Sequence, residues 1–168
     1  MAKVLSRPPG GDLYEADFAL WAERQAELLR SRRFDALDLE NLIEEVEDLG
    51  RRERDTVESY IETILEHLLK LELSNADRPR RGWLVTVDRQ RAKLARKLTT
   101  TLRNHLETEL PTLYAGLRRP VARQLEKDRA SLDALPAVCP YTLDQILDRD
   151  WYPTSRHETG GVEAVRGT

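Results

Sequence analysis

Between Asp38 and Leu73 the chain runs without a single proline, and its apolar residues recur every three or four positions. Leu39, Leu42, Ile43, Val46 and Leu49 make up the first half of this stripe. Val57, Tyr60, Ile61, Ile64, Leu68 and Leu71 make up the second. That spacing keeps all of them on one side of an α-helix, whereas a strand would throw them to both faces. One long helix of ~50 Å follows from 1.5 Å per residue. Gly50 costs only about 1 kcal/mol inside a helix. The pattern therefore favours one helix, kinked at Gly50 at most, over two helices hinged at Arg51 to Asp55. Asp38 is placed to act as its N-cap. An amphipathic helix of this length needs partners for its apolar side, which the rest of the chain must supply.

The remaining segments read as those partners. Asp12 is placed to cap a first helix, with Glu15 three residues on. Its stripe is Phe18, Trp21, Ala22, Gln25, Leu28 and Leu29, ending near Arg33. Ser74 to Gly82 reads as a polar loop containing Pro79. Trp83, Val87, Gln90, Leu94 and Leu98 mark the next helix. Thr99 to Thr101 cap a short helix with Leu102, His105 and Leu106. Pro111 opens another helix, which carries Leu113, Tyr114, Leu117, Val121 and Leu125 and is kinked or restarted at Pro120. After a loop from Ala134 to Pro140, Thr142 and Gln145 form a capping-box pair ahead of Leu143, Ile146 and Leu147. The expected fold class is all-α, an up-and-down helical bundle of four main helices plus short capping helices. Residues 1–11 are expected to be a flexible arm, 12–153 a single bundle domain, and 154–168 a disordered polar tail.

Composition narrows the function classes. Apolar residues make up 40% of the 168, enough for a core. Charged residues reach 34% against a usual ~25%. The net charge of −3 argues against a protein built wholly to coat nucleic acid. Arginine is abundant, but it is spread along every helix. Cys139 is the sole cysteine, so no intrachain disulfide can form. No apolar run approaches the ~20 residues that span a bilayer. The first eleven residues lack the apolar core of a signal peptide, so the expected location is cytoplasmic and no membrane contact is expected.

Several strings together resemble a known bacterial family. They are Asp17-x-x-x-Trp21-x-x-x-Gln25-x-x-x-Leu29; Leu42-Ile43-Glu44-Glu45-Val46-Glu47-Asp48-Leu49-Gly50; His67-Leu68-Leu69-Lys70; Trp83; Gln90-Arg91; and Cys139-Pro140-Tyr141 followed by Trp151 and Pro153. Over roughly Tyr14 to Pro153 the chain is similar to the Domain of Unknown Function 29 family. The family usually carries Ser-Pro-Ser-Leu where this chain has Thr99-Thr100-Thr101-Leu102. The resemblance implies an all-helical domain and no activity.

The largest chemical signal is charge segregation. Twelve acids and three bases lie between Asp35 and Glu66, and nine bases and one acid between Arg78 and Arg103. Side-by-side packing of the two helices would neutralise them, although exposed pairs contribute only ~0–1 kcal/mol each. Alternatively Arg89, Arg91, Lys93, Arg96 and Lys97 contact phosphates with Trp83 stacked on a base. Against that, the acidic helix repels phosphate. Glu44, Glu45 and Glu47 do not converge on one side of a helix. No Glu-x-x-His or His-x-x-x-His spacing occurs, so no metal and no cofactor are expected. His67 and His105 read as half-buried structural histidines. Cys139 lacks a neighbour that would lower its pKa, apart from the helix start at Thr142. The candidate polar cluster is Glu44, Glu47, His67, Trp83 and Arg91. The function is unknown from sequence, and the leading reading is a non-enzymatic protein-interaction module with a protein partner or a homo-oligomer. Nucleic-acid binding through Arg78 to Arg103, and an enzyme with a polar site near Glu47, His67 and Arg91, are the alternatives.

Overall fold

The structure, a computed structural model, describes residues 11–74, 77–126 and 135–157. It is an all-α helical bundle with no strand among the described residues. The helices are α1 (Gly11–Ala16), α2 (Phe18–Arg30), α3 (Leu39–Leu73), α4 (Asp77–Lys97), α5 (Thr100–Leu125) and α6 (Leu143–Leu147), with a 3-10 turn at Phe34–Ala36. The expected arm, apart from Gly11, lies outside the described residues, as does the tail beyond His157. The chain divides into two compact units, Met1–Glu53 and Arg54–Thr168.

In the first unit the expected single helix is two. Asp17 leaves the helical region at φ −152° and ψ 86°, and its Oδ1 accepts from the Leu20 amide at 3.0 Å. A short carboxylate that can satisfy orphan amides ends α1 and starts α2 at one point. α2 closes with Arg32 at φ 57°, Arg32 N–H donating to Leu29 O and Arg33 N–H to Leu28 O. This is a Schellman closure with arginine where glycine is usual. The small core is Trp21, Leu28 and Leu37. Tyr14 and Phe18 flank Trp21, with ring centroids 4.9 and 5.5 Å away.

Gln25 occupies an apolar-stripe position because it is bonded there: its Oε1 accepts the Asp38 amide at 2.9 Å. Asp38 sits just before α3, as expected of an N-cap. Its Oδ2 is taken by Trp21 Nε1 at 3.1 Å and Asn41 Nδ2 at 2.8 Å. Each buried polar group here satisfies another.

A second expectation fails in this unit. The first half of α3 was read as facing the core, but Leu39, Ile43, Val46 and Leu49 are 54, 57, 62 and 60% exposed. α1 reaches α3 at Glu45, whose Oε1 accepts from Tyr14 Oη at 2.6 Å. By helical projection Glu45 lies more than 90° around the helix from the stripe's centre. Periodicity shows which residues share a face, not that anything covers it.

In the second unit α3 continues unbroken past Gly50, as the favoured reading had it. Val57, Ile61, Ile64, Leu65, Leu68 and Leu69 are fully buried. α4 adds Val87 and Leu94, α5 adds Leu106, Tyr114, Val121 and Leu125, and α6 adds Leu143 and Ile146. α4 begins at Asp77, where a loop to Gly82 was expected. Pro79 is tolerated because it is the third helical residue, where the missing N–H has no intrahelical partner anyway.

The two expected helices on either side of Pro111 are one helix, α5, N-capped by Thr99 Oγ1 accepting from Leu102 N. Both interior prolines are exposed, and so are Glu107 and Gly116, whose carbonyls they leave unpaired. Water can satisfy those carbonyls, and packing of the opposite side holds the helix through a residue that ordinarily costs about 3 kcal/mol. α6 opens with the expected capping box of Thr142 and Gln145.

Urea denaturation distinguishes the two halves of α3. Ile64→Ala is expected to cost about 2–5 kcal/mol, and Val46→Ala to stay within about 0.5 kcal/mol.

Candidate functional site

The five candidate residues are not joined by any hydrogen bond among the described residues. Glu44 and Glu47 are exposed on the first unit and carry no ion pair among the described residues. Glu47 belongs to the first unit and His67 to the second, twenty residues on along α3. His67 is half-buried, and its Nδ1 lies 2.8 Å from Thr63 O of its own helix. A carbonyl only accepts, so Nδ1 carries the proton. Trp83 is half-buried against the core of the second unit.

Arg91 is the most constrained of the five, at 2% exposed. Its Nε donates to Ile146 O at 2.8 Å and its Nη2 to Gln145 O at 3.1 Å. The guanidinium lies 4.9 Å from the centre of the Tyr152 ring. Tyr152 Oη in turn donates to Asp88. Arg91 thus clamps the last carbonyls of α6, where a cation meets the negative end of a helix. Burial pushes its pKa below the usual arginine value, while Tyr152, Asp88 and Asp148 oppose that shift. Burial, then the Asp88 hydrogen bond, pushes the Tyr152 phenol up to about 12.

Sequence reasoning missed a second network. Glu72, near the end of α3, accepts from Tyr141 Oη at 2.5 Å and from Arg156 Nε at 2.9 Å. Arg156 N–H also donates to Glu72 O, and His157 Nε2 lies 3.0 Å from Leu73 O. Ser155 is buried. These bonds hold the chain past Pro153, where a polar tail was expected to begin. Burial, reinforced by Glu72, pushes the Tyr141 phenol well above its ordinary range. Burial likewise raises the neighbouring Cys139 thiol, which makes it a poorer nucleophile. Cys139-Pro140-Tyr141 stood out in the sequence, but no spacing connects Tyr141 to Glu72. His105 Nε2 meets Glu58 Oε1 at 2.5 Å between α5 and α3.

No group of three His, Cys, Asp or Glu that could hold a metal occurs among the described residues. A hollow of about 180 Å³ on α5 is lined by Arg119, Ala122, Arg123 and Glu126. It lies along one helix, with no nucleophile or base converging on it. None of the described helices is long and apolar enough to cross a membrane.

The buried clamp and the Glu72 network use Gln90-Arg91 and Cys139-Pro140-Tyr141, two of the strings that carried the family resemblance. The sequence profile described as "Domain of unknown function DUF29" matches residues 13–152. The chain belongs to the DUF29 family. No curated protein and no solved structure matches it. DUF29 membership supplies a fold-sized match and no activity, so the residues must carry any functional argument for this DUF29 chain.

Two measurements probe these contacts. Arg91→Ala strips two carbonyls of a charged donor and is expected to cost about 2–3 kcal/mol in urea denaturation. Burial disfavours the Glu66 carboxylate, yet the hydrogen bond and charge of Lys70, 2.5 Å away, outweigh it and hold its pKa below the ordinary value. A lowered folded-state pKa stabilises above the unfolded value and is lost as pH falls through the folded one. Glu66→Gln should therefore lower stability at neutral and alkaline pH and flatten the fall in stability on the acid side.

Proposed function

We propose that this DUF29 chain is a non-enzymatic helical interaction module that presents the first half of α3 to a protein partner. The supporting observation is the exposed stripe Leu39, Ile43, Val46 and Leu49. Eight of the ten large apolar side chains exposed among the described residues lie in the first unit. Concentrated apolar exposure on a water-soluble surface marks a contact site more often than isolated apolar residues do. The polar candidates support the same reading from the other side. His67 is bonded to its own helix, and Arg91 is bonded to α6, so neither is presented to a substrate. Full-length protein carrying a photo-crosslinker at Val46 should yield discrete crosslinked products in its native cytoplasm. The same probe at exposed Arg119 should not. Absence of any discrete product at Val46 would overturn the reading.

Nucleic-acid binding is the second reading, and it is favoured by one observation. Arg81, Arg89 and Arg96 are exposed on α4 and have no ion pair among the described residues. Arg91, included in the sequence-based version, is buried, so the phosphate-facing set becomes these three. Fluorescence anisotropy with a labelled duplex should then show binding that falls steeply with salt. Arg89→Ala with Arg96→Ala should weaken it. No binding at low salt removes this alternative.

A further inference from the structure

We infer that the exposed stripe of α3 docks on the outer face of α4 of a second copy of this chain, in a head-to-tail contact. This rests on the interaction reading above and names the partner. Two surfaces of the one sequence carry it, and neither is neutralised by an ion pair among the described residues.

The first surface is the stripe of Leu39, Ile43 and Val46 with Glu40, Glu44 and Glu47 along one flank. At 100° per residue the three acids fall within a 60° sector beside the apolar centre. All three are exposed and carry no ion pair among the described residues. No base occurs between Leu39 and Gly50. The second surface is the outward side of α4. Val85 is 49% exposed and Ala95 is exposed, and Arg81, Arg89 and Arg96 lie beside them. By the same projection these five residues share one face about 120° wide. Asp88, on that face, is engaged by Tyr152.

The two surfaces match in chemistry and in spacing. Glu40 and Glu47 are seven residues apart, and so are Arg89 and Arg96, about 10.5 Å along each axis. The leucine and isoleucine of the α3 stripe meet Val85 and the small Ala95 on α4, and the alanine lets the two helices approach closely. Stripe-to-stripe pairing would instead bring two acidic flanks together, which is unfavourable. A contact between unlike surfaces does not use up its own ends, so it propagates into rings or chains.

Sedimentation velocity on the full chain at low salt tests this. The average mass should rise with concentration and return to that of the monomer as salt screens the flanks. Two variants keep the core intact, because all the changed residues are exposed; circular dichroism checks their folding. Ile43→Asp with Val46→Asp loses the stripe, and Arg89→Glu with Arg96→Glu loses the α4 face. Each alone should stay monomeric, and an equal mixture should give a one-to-one dimer, because each retains the half the other lacks. Adding Glu44→Arg and Glu47→Arg to the α4 variant should restore association. Persistent self-association of the α4 variant alone would overturn the head-to-tail contact in favour of stripe-to-stripe pairing. A wild-type chain that stays monomeric overturns self-docking altogether, and so does one that is monomeric and binds a DNA duplex through Arg89 and Arg96. If the monomer still crosslinks another protein at Val46, the interaction reading survives. If nothing crosslinks there, both fall.

Discussion

A helix that buries Val57, Ile61, Ile64, Leu65, Leu68 and Leu69 completely cannot remain alone in water. Each such side chain is worth about 1.5–3 kcal/mol when removed from solvent. The rest of the second unit is arranged to cover them. Helices α4, α5 and α6 bring their own apolar residues against this segment, and the chain around Tyr141 and Arg156 is tied to Glu72 near its end. The polar residues drawn in with it are mostly bonded to carbonyls or carboxylates, as burial demands. Arg91 caps α6, Tyr114 Oη donates to Pro136 O, and His105 faces Glu58.

The first unit solves the same problem with much less apolar material. Its centre is a tryptophan whose indole N–H is bonded to Asp38, an aspartate whose amide is bonded to Gln25, and two aromatic rings beside them. Such a knot orients its few parts well because each polar group has one good partner. It buries little else. The apolar residues left outside are therefore a property of how small this centre is.

The class of fold was legible because helical period is a local property. The unbroken α3 followed from spacing and the lack of proline, and the capping box at Thr142 and Gln145 from residue type. The helix expected to run through Asp17 breaks there because its carboxylate caps the following turn, an alternative that the apolar spacing does not report. Pro111 and Pro120 were read as boundaries, and α5 runs through both because the freed carbonyls face water while the other side is packed. The candidate residues were legible as chemistry and not as geometry. His67 was legible as a half-buried structural histidine and Arg91 as a base, but their partners, Thr63 O and the α6 carbonyls, are backbone atoms that no side-chain motif encodes. Tyr141 and Glu72 are sixty-nine residues apart, so only the fold brings them together.

The two prolines inside α5 also bear on what keeps that helix straight. A helix with two missing amide donors has weak cohesion of its own. Its buried side, Leu106, Leu110, Leu113, Tyr114, Val121 and Leu125, belongs to the same apolar cluster as the second half of α3. Loosening that cluster should therefore be felt in the backbone of α5 first, because this is the helix whose own ladder is interrupted.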